Sequence, residues 1–280
     1  IVAMVSSREE TIISTDEAIY GMTFVGAPFI FSFRLLGTNA GAAGLNTMIN
    51  IDGNVFWMGR RNFFSYDGVV KELVCPVQYY VFDRMQTNMI DKTVVGHNKK
   101  FKEITWFYVS TSNSAGTINP EPDSYVTYNY VENAWSIGTM DRTVWSDSFG
   151  ARDVPFAFDP DGLLYNHETG TSDNGSAMSS YIESSPREIT QNGENLFMVD
   201  RVIPDVTMTS DTNLYFNLNS RKYPNATEVV KGPFTITSTT QKVSTRAKGR
   251  QIAMKIYSTG TTDEWSIGDF RINAREDSLR

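Results

Sequence analysis

The amino-acid sequence predicts an all-β protein: β-propeller blades, partial or complete, followed by a C-terminal β-sandwich-like unit, with one short inserted helix. Three observations predict this class. Short runs alternate between apolar and polar residues, Asp-Gly pairs separate several of these runs, and the same order of strands and turns recurs along the chain. Asp-Gly tolerates the positive φ angles of a two-residue hairpin turn, so we expect short antiparallel strands joined by tight turns.

The clearest copy of this pattern runs from Ile49 to Val70 and reads INIDGNVFWMGRRNFFSYDGVV. The pairs Asp52-Gly53 and Asp67-Gly68 interrupt its alternating residues, which predicts three or four short antiparallel strands. Residues 103–138 and 153–166 repeat this order of strands and turns. The repetition favours a protein built from similar sheet modules.

The spacing of two tryptophans supports a blade repeat. Trp57 and Trp106 are separated by about the 40 to 50 residues that one four-stranded propeller blade occupies. Strand-like runs also fill much of the sequence before this repeat. We therefore assign residues 1–183 to propeller blades and residues 184–280 to a C-terminal β-rich domain, with the boundary in the polar segment 184–195.

The sequence beyond this boundary contains five or more strand-like runs and no helix pattern, which is typical of a β-sandwich. Residues 250–274 are predicted to form an alternating hairpin with Ile252, Met254 and Ile256 on its inward side. A second polar segment, residues 111–123, separates two strands of the N-terminal part and is predicted to be a surface loop suited to contacts.

One helix is predicted from Pro76 to Asp91. Proline suits the first helical position, and a stripe at the helical period contains Val77, Tyr80 or Val81, Met85 and Met89. Such a stripe usually packs against a sheet. A groove for a partner is the alternative interpretation.

The composition makes nucleic-acid wrapping a poor hypothesis. The 280-residue chain has a formal net charge of -7 and a pI near 5.0, whereas binding through counterion release needs clustered Lys and Arg. The densest basic groups are typical of solvated loops: Arg60-Arg61, residues 99–102 and residues 242–250. The apolar run from Met22 to Leu36 contains Pro28 and Arg34 and is too short to cross a bilayer, so no membrane span is expected.

No catalytic, cofactor-binding or metal-binding residue is assigned from the sequence. The single cysteine, Cys75, excludes multi-cysteine metal sites and is predicted to be a small buried residue. His97 and His167 lie outside catalytic signatures and are predicted to make structural hydrogen bonds. Residues 159–162 (Asp-Pro-Asp-Gly) predict a turn rather than a calcium loop, and residues 172–175 only approach the sialidase Asp box.

The small-residue segment from Gly37 to Gly44 could suggest a phosphate cradle, but neither GK[ST] nor a GxGxxG spacing is present. Close approach of two backbone segments is the preferred interpretation. We therefore expect no cofactor.

Several sequence blocks occur in an order that resembles a known family. They are VFWMG with FFSYDG, CPVQYYVFD, a WFY strand, DSYV with YNYVENAWSIG, FDPDGLLY, and GRQIAMKIYSTGTTDEWSIGDFRINAR. Together they resemble the packaged-DNA stabilisation or tail-hub proteins of short-tailed bacteriophages, equivalent to the tail nozzle or tail tubular protein. The resemblance extends over residues 19–275.

This resemblance implies a structural virion protein that forms a ring, commonly a homohexamer, below the portal and adaptor. It implies that packaged double-stranded DNA is retained behind the ring and leaves through its lumen without specific binding. Tail fibre, spike or needle proteins are further expected neighbours. The implied location is the virion tail, after assembly in the cytoplasm of the infected bacterial cell.

The lack of catalytic signatures leads to the prediction that the chain is not an enzyme. The alternative is a carbohydrate-binding or glycan-hydrolysing β-propeller tail component, in which exposed Trp and Tyr side chains would stack on sugars.

Overall fold

The computed structural model describes residues 1–111, 120–188 and 195–278, with Ser278 described by its backbone. Antiparallel strands dominate these residues, with one α-helix and one 3₁₀ helix among them, which confirms the predicted all-β class. Part of the predicted polar loop (112–119) and part of the predicted boundary segment (189–194) lie outside the described residues.

The chain forms two compact units, Ile1–Thr169 and Gly170–Arg280. Residues 170–183, which the sequence analysis placed with the blades, fall in the second unit in this division. The reason is strand pairing, since residues 180–183 pair with residues 255–258 of the C-terminal unit. None of the helices in the described ranges has the length and apolar character needed to span a bilayer.

The first unit contains three consecutive four-stranded antiparallel sheets and a fourth sheet of three strands, each following the order of the chain. The strands are β1 (Ala3–Ser6), β2 (Thr11–Ser14), β3 (Ala18–Phe24) and β4 (Phe31–Thr38); β5 (Met48–Ile51), β6 (Asn54–Met58), β7 (Phe63–Tyr66) and β8 (Val70–Leu73); β9 (Val94–Asn98), β10 (Glu103–Tyr108), β11 (Ser124–Asn129) and β12 (Ala134–Thr139); and β13 (Val144–Ser146), β14 (Phe156–Phe158) and β15 (Leu164–Asn166).

The first strands of these four sheets contact one another in space, each touching the first strand of the next sheet. Strand β1 contacts β5, β5 contacts β9, and β9 contacts β13. Up-and-down sheets with adjoining first strands are arranged as blades are in a propeller. The described residues form an arc of such sheets and do not form a closed propeller.

Asp-Gly turns and tryptophans have the roles that their repetition predicts. Asp52 (φ 51°) and Gly53 (φ 92°) are both left-handed and join β5 to β6 as a tight hairpin. Trp57 and Trp106 lie on the second strands of their sheets and are fully buried. Their indole N–H groups donate to the backbone carbonyls of Ala40, at 2.7 Å, and of Thr47, at 2.9 Å. The large rings therefore fill the core without leaving a buried donor unpaired.

The continuous helix predicted over Pro76 to Asp91 is interrupted. An α-helix, α1 (Gln78–Arg84), is followed by an extended residue, Met85, and then by a 3₁₀ helix (Thr87–Lys92). The break occurs because the backbone pairs with the segment that follows β10: Met85 bridges to Ser110, and the Gln86 N–H donates to the Val109 carbonyl at 2.8 Å. Val81 and Met85 are buried in the core, so the apolar stripe packs on a sheet.

The second unit is a β-sandwich-like pair of sheets beside two short two-stranded sheets. The larger sheet contains β18 (Ser180–Glu183), β19 (Arg187–Glu188), β22 (Leu214–Arg221), β23 (Val229–Ile236) and β25 (Gln251–Ser258). The facing sheet contains β20 (Leu196–Ile203), β24 (Val243–Gly249) and β27 (Arg271–Ser278), and the short pairs are β16 (Ser172–Asp173) with β17 (Ser176–Ala177) and β21 (Val206–Met208) with β26 (Trp265–Ile267).

One core joins the two larger sheets of this unit. Phe197 and Val199 of β20 and Phe216 and Leu218 of β22 belong to the same buried cluster. The hairpin predicted over residues 250–274 does not form: β25 pairs with β18, β19 and β22, whereas β26 pairs with β21 and β27 with β20. Alternation identified the strands, but their partners are distant in sequence.

Candidate functional site

The hairpin of β3 and β4 exposes an apolar face, and we call residues 18–38 the apolar arm. Strand register places Phe24 opposite Phe31 and Met22 opposite Phe33, so alternate apolar side chains share one side. Phe24 is 69% and Phe33 is 63% exposed, and Phe29 in the connecting loop is 77% exposed. An uncovered apolar face of this kind marks an interaction surface.

The opposite face of the arm is polar and fixed to its unit. Thr23 lies opposite Ser32 and Gly21 opposite Arg34. The Arg34 guanidinium pairs with the Glu10 carboxylate at 2.9 Å, and Glu10 also accepts a short hydrogen bond from the Tyr66 hydroxyl. Among the described residues β4 pairs with β3 alone, so its outer backbone edge is open to them.

The apolar arm was not predicted as an interaction surface. Its sequence was assigned to strand-like runs, and the run from Met22 to Leu36 was weighed as a membrane span, which Pro28 and Arg34 exclude. The pattern that predicts this surface is the occurrence of apolar, mostly aromatic residues at every second position on both sides of a turn. That pattern is typical of a hairpin with one apolar face.

A polar cluster, which we call the carboxylate site, lies where the third and fourth sheets meet and consists of Asn98, Glu103 and Glu168. Glu103 is the register partner of Asn98 across β9 and β10, and the Asn98 side-chain N–H donates to Glu168 Oε1 at 2.9 Å. Burial, and then the Glu168 charge, raise the pKa of Glu103. Burial raises the pKa of Glu168, opposed by Lys100 and by the Asn98 hydrogen bond.

Both histidines make polar contacts in the part of the first unit that contains the third and fourth sheets. His97 Nδ1 is 3.3 Å from Asp147 Oδ2, and its Nε2 is 3.3 Å from the Tyr130 hydroxyl. Burial lowers the pKa of His97, opposed by the Asp147 charge. The Arg142 Nε–H donates to His167 Nε2 at 2.9 Å. Both imidazoles therefore have polar partners that position them.

The remaining sequence candidates occupy structural positions. Cys75 is buried, and burial raises the pKa of its thiol to about 11. The Gly162 N–H donates to the Asp159 carbonyl at 3.1 Å, which forms a turn. A Cβ at Gly41 would lie 2.4 Å from the Asp16 carbonyl oxygen, so this glycine permits close backbone approach. Across the described ranges, no three His, Cys, Asp or Glu side chains are grouped to hold a metal.

A third surface, which we call the tyrosine face, lies on the larger sheet of the second unit, on the side away from its core. The Tyr215 and Tyr257 rings are 5.3 Å apart, and Lys255 Nζ lies 4.6 Å from the centre of the Tyr181 ring. Asn219 on the same side is 8% exposed, and its Oδ1 has no hydrogen-bond partner. Aromatic rings beside polar groups can bind a polyhydroxylated ligand.

The comparisons with known proteins give distant structural likenesses alone. No family model matches the chain, and none of the curated proteins matches it. A solved structure named "Glycoside hydrolase" is 10% identical with a TM-score of 0.29, covering 97% of this chain and 83% of that chain.

Two further solved structures are variants of exo-β-1,3-galactanase from Phanerochaete chrysosporium with β-1,3-galactotriose. Each is 9% identical and covers 96% of this chain and 80% of that chain, with TM-scores of 0.32 and 0.30. The prediction that this chain is not an enzyme is withdrawn, because the solved structures it resembles include one named "Glycoside hydrolase" and two of an exo-β-1,3-galactanase. Likeness at this level assigns neither a reaction nor a family.

Proposed function

We propose that this protein is a structural subunit of the tail of a short-tailed bacteriophage, where copies of it assemble into the nozzle or hub ring below the portal and adaptor. The apolar arm is the observation that carries the proposal. Its aromatic face is uncovered in the single chain, and such a face is stabilised when a partner removes it from water. The ordered sequence blocks supply the partner class, which is a further copy of the chain.

The energetics favour a contact between the arm and a different surface of the next copy. Phe24, Phe29, Phe31, Phe33 and Leu35 are exposed by about half to three-quarters, so burying them contributes about 5 to 9 kcal/mol. Association costs about 4 to 15 kcal/mol. The arm therefore needs an apolar surface on its neighbour, and the open edge of β4 adds backbone pairing. Repetition of such a heterologous contact closes a ring.

The charge of the chain supports a passage for DNA. Lys and Arg facing phosphates would bind the duplex and slow its exit, whereas a net charge of -7 with dispersed basic residues disfavours such binding. We propose that the loops lining the lumen are net negative and that DNA is retained by the shape of the ring. A ring whose narrowest channel is lined mainly by Lys and Arg would contradict this.

The assembly state tests the main proposal. We expect the purified chain to form a ring by mass photometry and cryo-electron microscopy, and the double variant Phe24→Ser, Phe33→Ser to be monomeric with an unchanged circular dichroism spectrum. The matched control is Thr23→Ala, Ser32→Ala on the polar face of the same hairpin, which should assemble normally. A monomeric wild-type protein, or assembly by the Phe variant at the same concentration, would overturn the proposal.

A carbohydrate-directed tail component is the second candidate function, and the tyrosine face is the observation that favours it. Tyrosine rings can stack on sugar rings, while the Arg221–Glu228 ion pair, whose atoms are 2.5 Å apart, offers hydrogen-bonding groups. A glycan array and a reducing-end release assay test binding and hydrolysis. Loss of a glycan signal in Tyr257→Ala, but not in the control Tyr223→Ala outside the larger sheet, would support this candidate. Absence of any signal would dismiss it.

A further inference from the structure

The arc of sheets in the first unit ends in two outer faces, one on the first sheet and one on the fourth. Inside the arc, neighbouring sheets pack face to face. Ile12 of the first sheet and Trp57 of the second belong to one buried cluster, and the Trp145 ring of the fourth sheet stacks on Phe107 of the third with ring centres 5.8 Å apart. One face of each end sheet is therefore packed within the arc, and the other points away from it.

The outer face of the first sheet continues the apolar face of the arm. Strand register sets one row across this sheet, which contains Met4, Ile13, Tyr20 and Leu35. Ile12 precedes Ile13 on β2 and points into the core shared with the second sheet, so this row points the other way. Met4 is 60% and Leu35 is 53% exposed. We call this surface the first end face, formed by Met4, Tyr20, Phe24, Phe31, Phe33 and Leu35.

The outer face of the fourth sheet is apolar as well. Val144 lies opposite Phe158, and Phe158 lies opposite Leu164, so the three form one row across the sheet. Trp145 follows Val144 and packs on the third sheet, so this row points away from that sheet. Val144 is 51% and Leu164 is 43% exposed. We call this surface the second end face, formed by Val144, Phe156, Phe158 and Leu164.

The first end face is large enough to form the centre of an interface. The exposed parts of its three phenylalanines amount to about 300 to 450 Å² of aromatic surface, to which Met4 and Leu35 add. A standard interface buries about 800 Å² on each partner, and a little more than half of that area is apolar. The first end face therefore exposes about the apolar area that one such interface requires.

A contact between the two different end faces covers both of them with one kind of interface. If the first end face packed against the same face of another copy, Val144 and Leu164 of both copies would stay in water. In a contact between unlike faces, every copy offers one face and receives the other, so the contact repeats from copy to copy. Sheets that pack face to face in this way lie about 10 Å apart, with their apolar rows between them.

We propose that the second end face of one copy packs on the first end face of the next copy, as neighbouring sheets pack within the arc. This inference rests on the proposed ring of identical copies, and it names the surface that receives the apolar arm. The partner is a sheet of a second copy of this chain, and the contact is heterologous.

Disulfide trapping in the full chain tests which faces meet. Cys75 is the single cysteine of the chain and is buried, so thiols introduced at exposed positions report the contacts of those positions. Leu35→Cys is combined with Val144→Cys in one variant and with Leu164→Cys in another. After mild oxidation, at least one of these pairs should give a ladder of covalent oligomers on a non-reducing gel. The matched control is Thr23→Cys with Leu164→Cys, which moves one thiol to the polar face of the same hairpin and should stay monomeric on the gel.

Three results of this experiment would overturn the inference. The first is an assembled protein in which neither pair gives a ladder. The second is a covalent dimer from Leu35→Cys alone, which would show that two first end faces meet. The third is a crosslink within one chain, which would show that the four sheets close on themselves.

A charge on the second end face gives an independent test that leaves the arm intact. Leu164→Glu should raise the protein concentration needed for assembly by about tenfold or more, because the contact would bury a carboxylate. Leu45→Glu places the same charge at another exposed leucine, outside both end faces, and should assemble as the wild type does. The circular dichroism spectra of both variants should match that of the wild type.

The outcomes separate this inference from the proposed function. Loss of assembly in Phe24→Ser, Phe33→Ser together with normal assembly of Leu164→Glu would overturn the inference and leave the proposed ring standing. A wild-type chain that stays monomeric would overturn the proposed ring and this inference with it.

Discussion

Replacement of Trp57 by Phe tests whether a buried indole hydrogen bond holds two parts of the first unit together. Trp57 is fully buried, stacks on Phe64 with ring centres 5.5 Å apart, and donates to the Ala40 carbonyl at 2.7 Å. Ala40 is itself buried, so water cannot replace the lost donor. The unpaired carbonyl costs about 1 to 3 kcal/mol, and the smaller ring adds about 1 to 2 kcal/mol.

The expected total is therefore a loss of about 2 to 5 kcal/mol in the free energy of unfolding, measured by urea denaturation followed by circular dichroism. Trp135→Phe is the matched control, because its indole N–H donates to the exposed Val74 residue at 3.1 Å, where water can take over. This control variant loses the same ring volume, and its free energy of unfolding should fall by about 1 to 2 kcal/mol. Equal losses for the two variants would refute the assigned role of the buried hydrogen bond.

Three further predictions concern single positions of the first unit. Gly41→Ala should lower stability by about 1 to 3 kcal/mol, because its Cβ would lie 2.4 Å from a backbone carbonyl, whereas the control Gly37→Ala has its nearest contact at 3.4 Å and should be close to neutral in a thermal melt. Asp123→Ala should lower the free energy of unfolding by about 2 kcal/mol or more, because the Asp123 carboxylate accepts hydrogen bonds from the Ser110 N–H at 2.9 Å and from its hydroxyl at 2.7 Å. A thermal melt unchanged from that of the wild type would contradict this. At pH 8, well below its pKa of about 11, the native Cys75 thiol should stay protonated and react slowly with a disulfide reagent, and rapid labelling before unfolding would contradict its burial.

Where the sequence analysis succeeded, the signal was local. Asp52 and Gly53 have left-handed φ angles, which Asp and Gly tolerate. Two adjacent residues are therefore enough to predict the hairpin between β5 and β6. Trp57 and Trp106 likewise mark equivalent second strands, in which each buried ring fills part of the core.

Where the sequence analysis failed, a distant partner made the difference. Helical periodicity continues through Met85, but the segment after β10 forms a bridge with this backbone at Ser110, and α1 ends there. Residues 251–258 and 271–278 alternate as strands of a hairpin should, yet each pairs with strands far away in the chain. Alternation fixes which side of a strand faces the core and carries no information about its neighbour.

The carboxylate site also required the fold. Asn98 and Glu103 are close enough in sequence for a hairpin to predict their proximity, but Glu168 reaches them only because β13 packs against β9 and brings the fourth sheet alongside.

The sequence by itself determined the all-β class, the tight turns and the alternating faces, because these depend on φ preferences and on the burial pattern of neighbouring residues. Only the tertiary structure decided which strands pair, where α1 ends and which apolar face stays uncovered. Those outcomes depend on contacts between residues distant along the chain, whose free energies no local pattern contains.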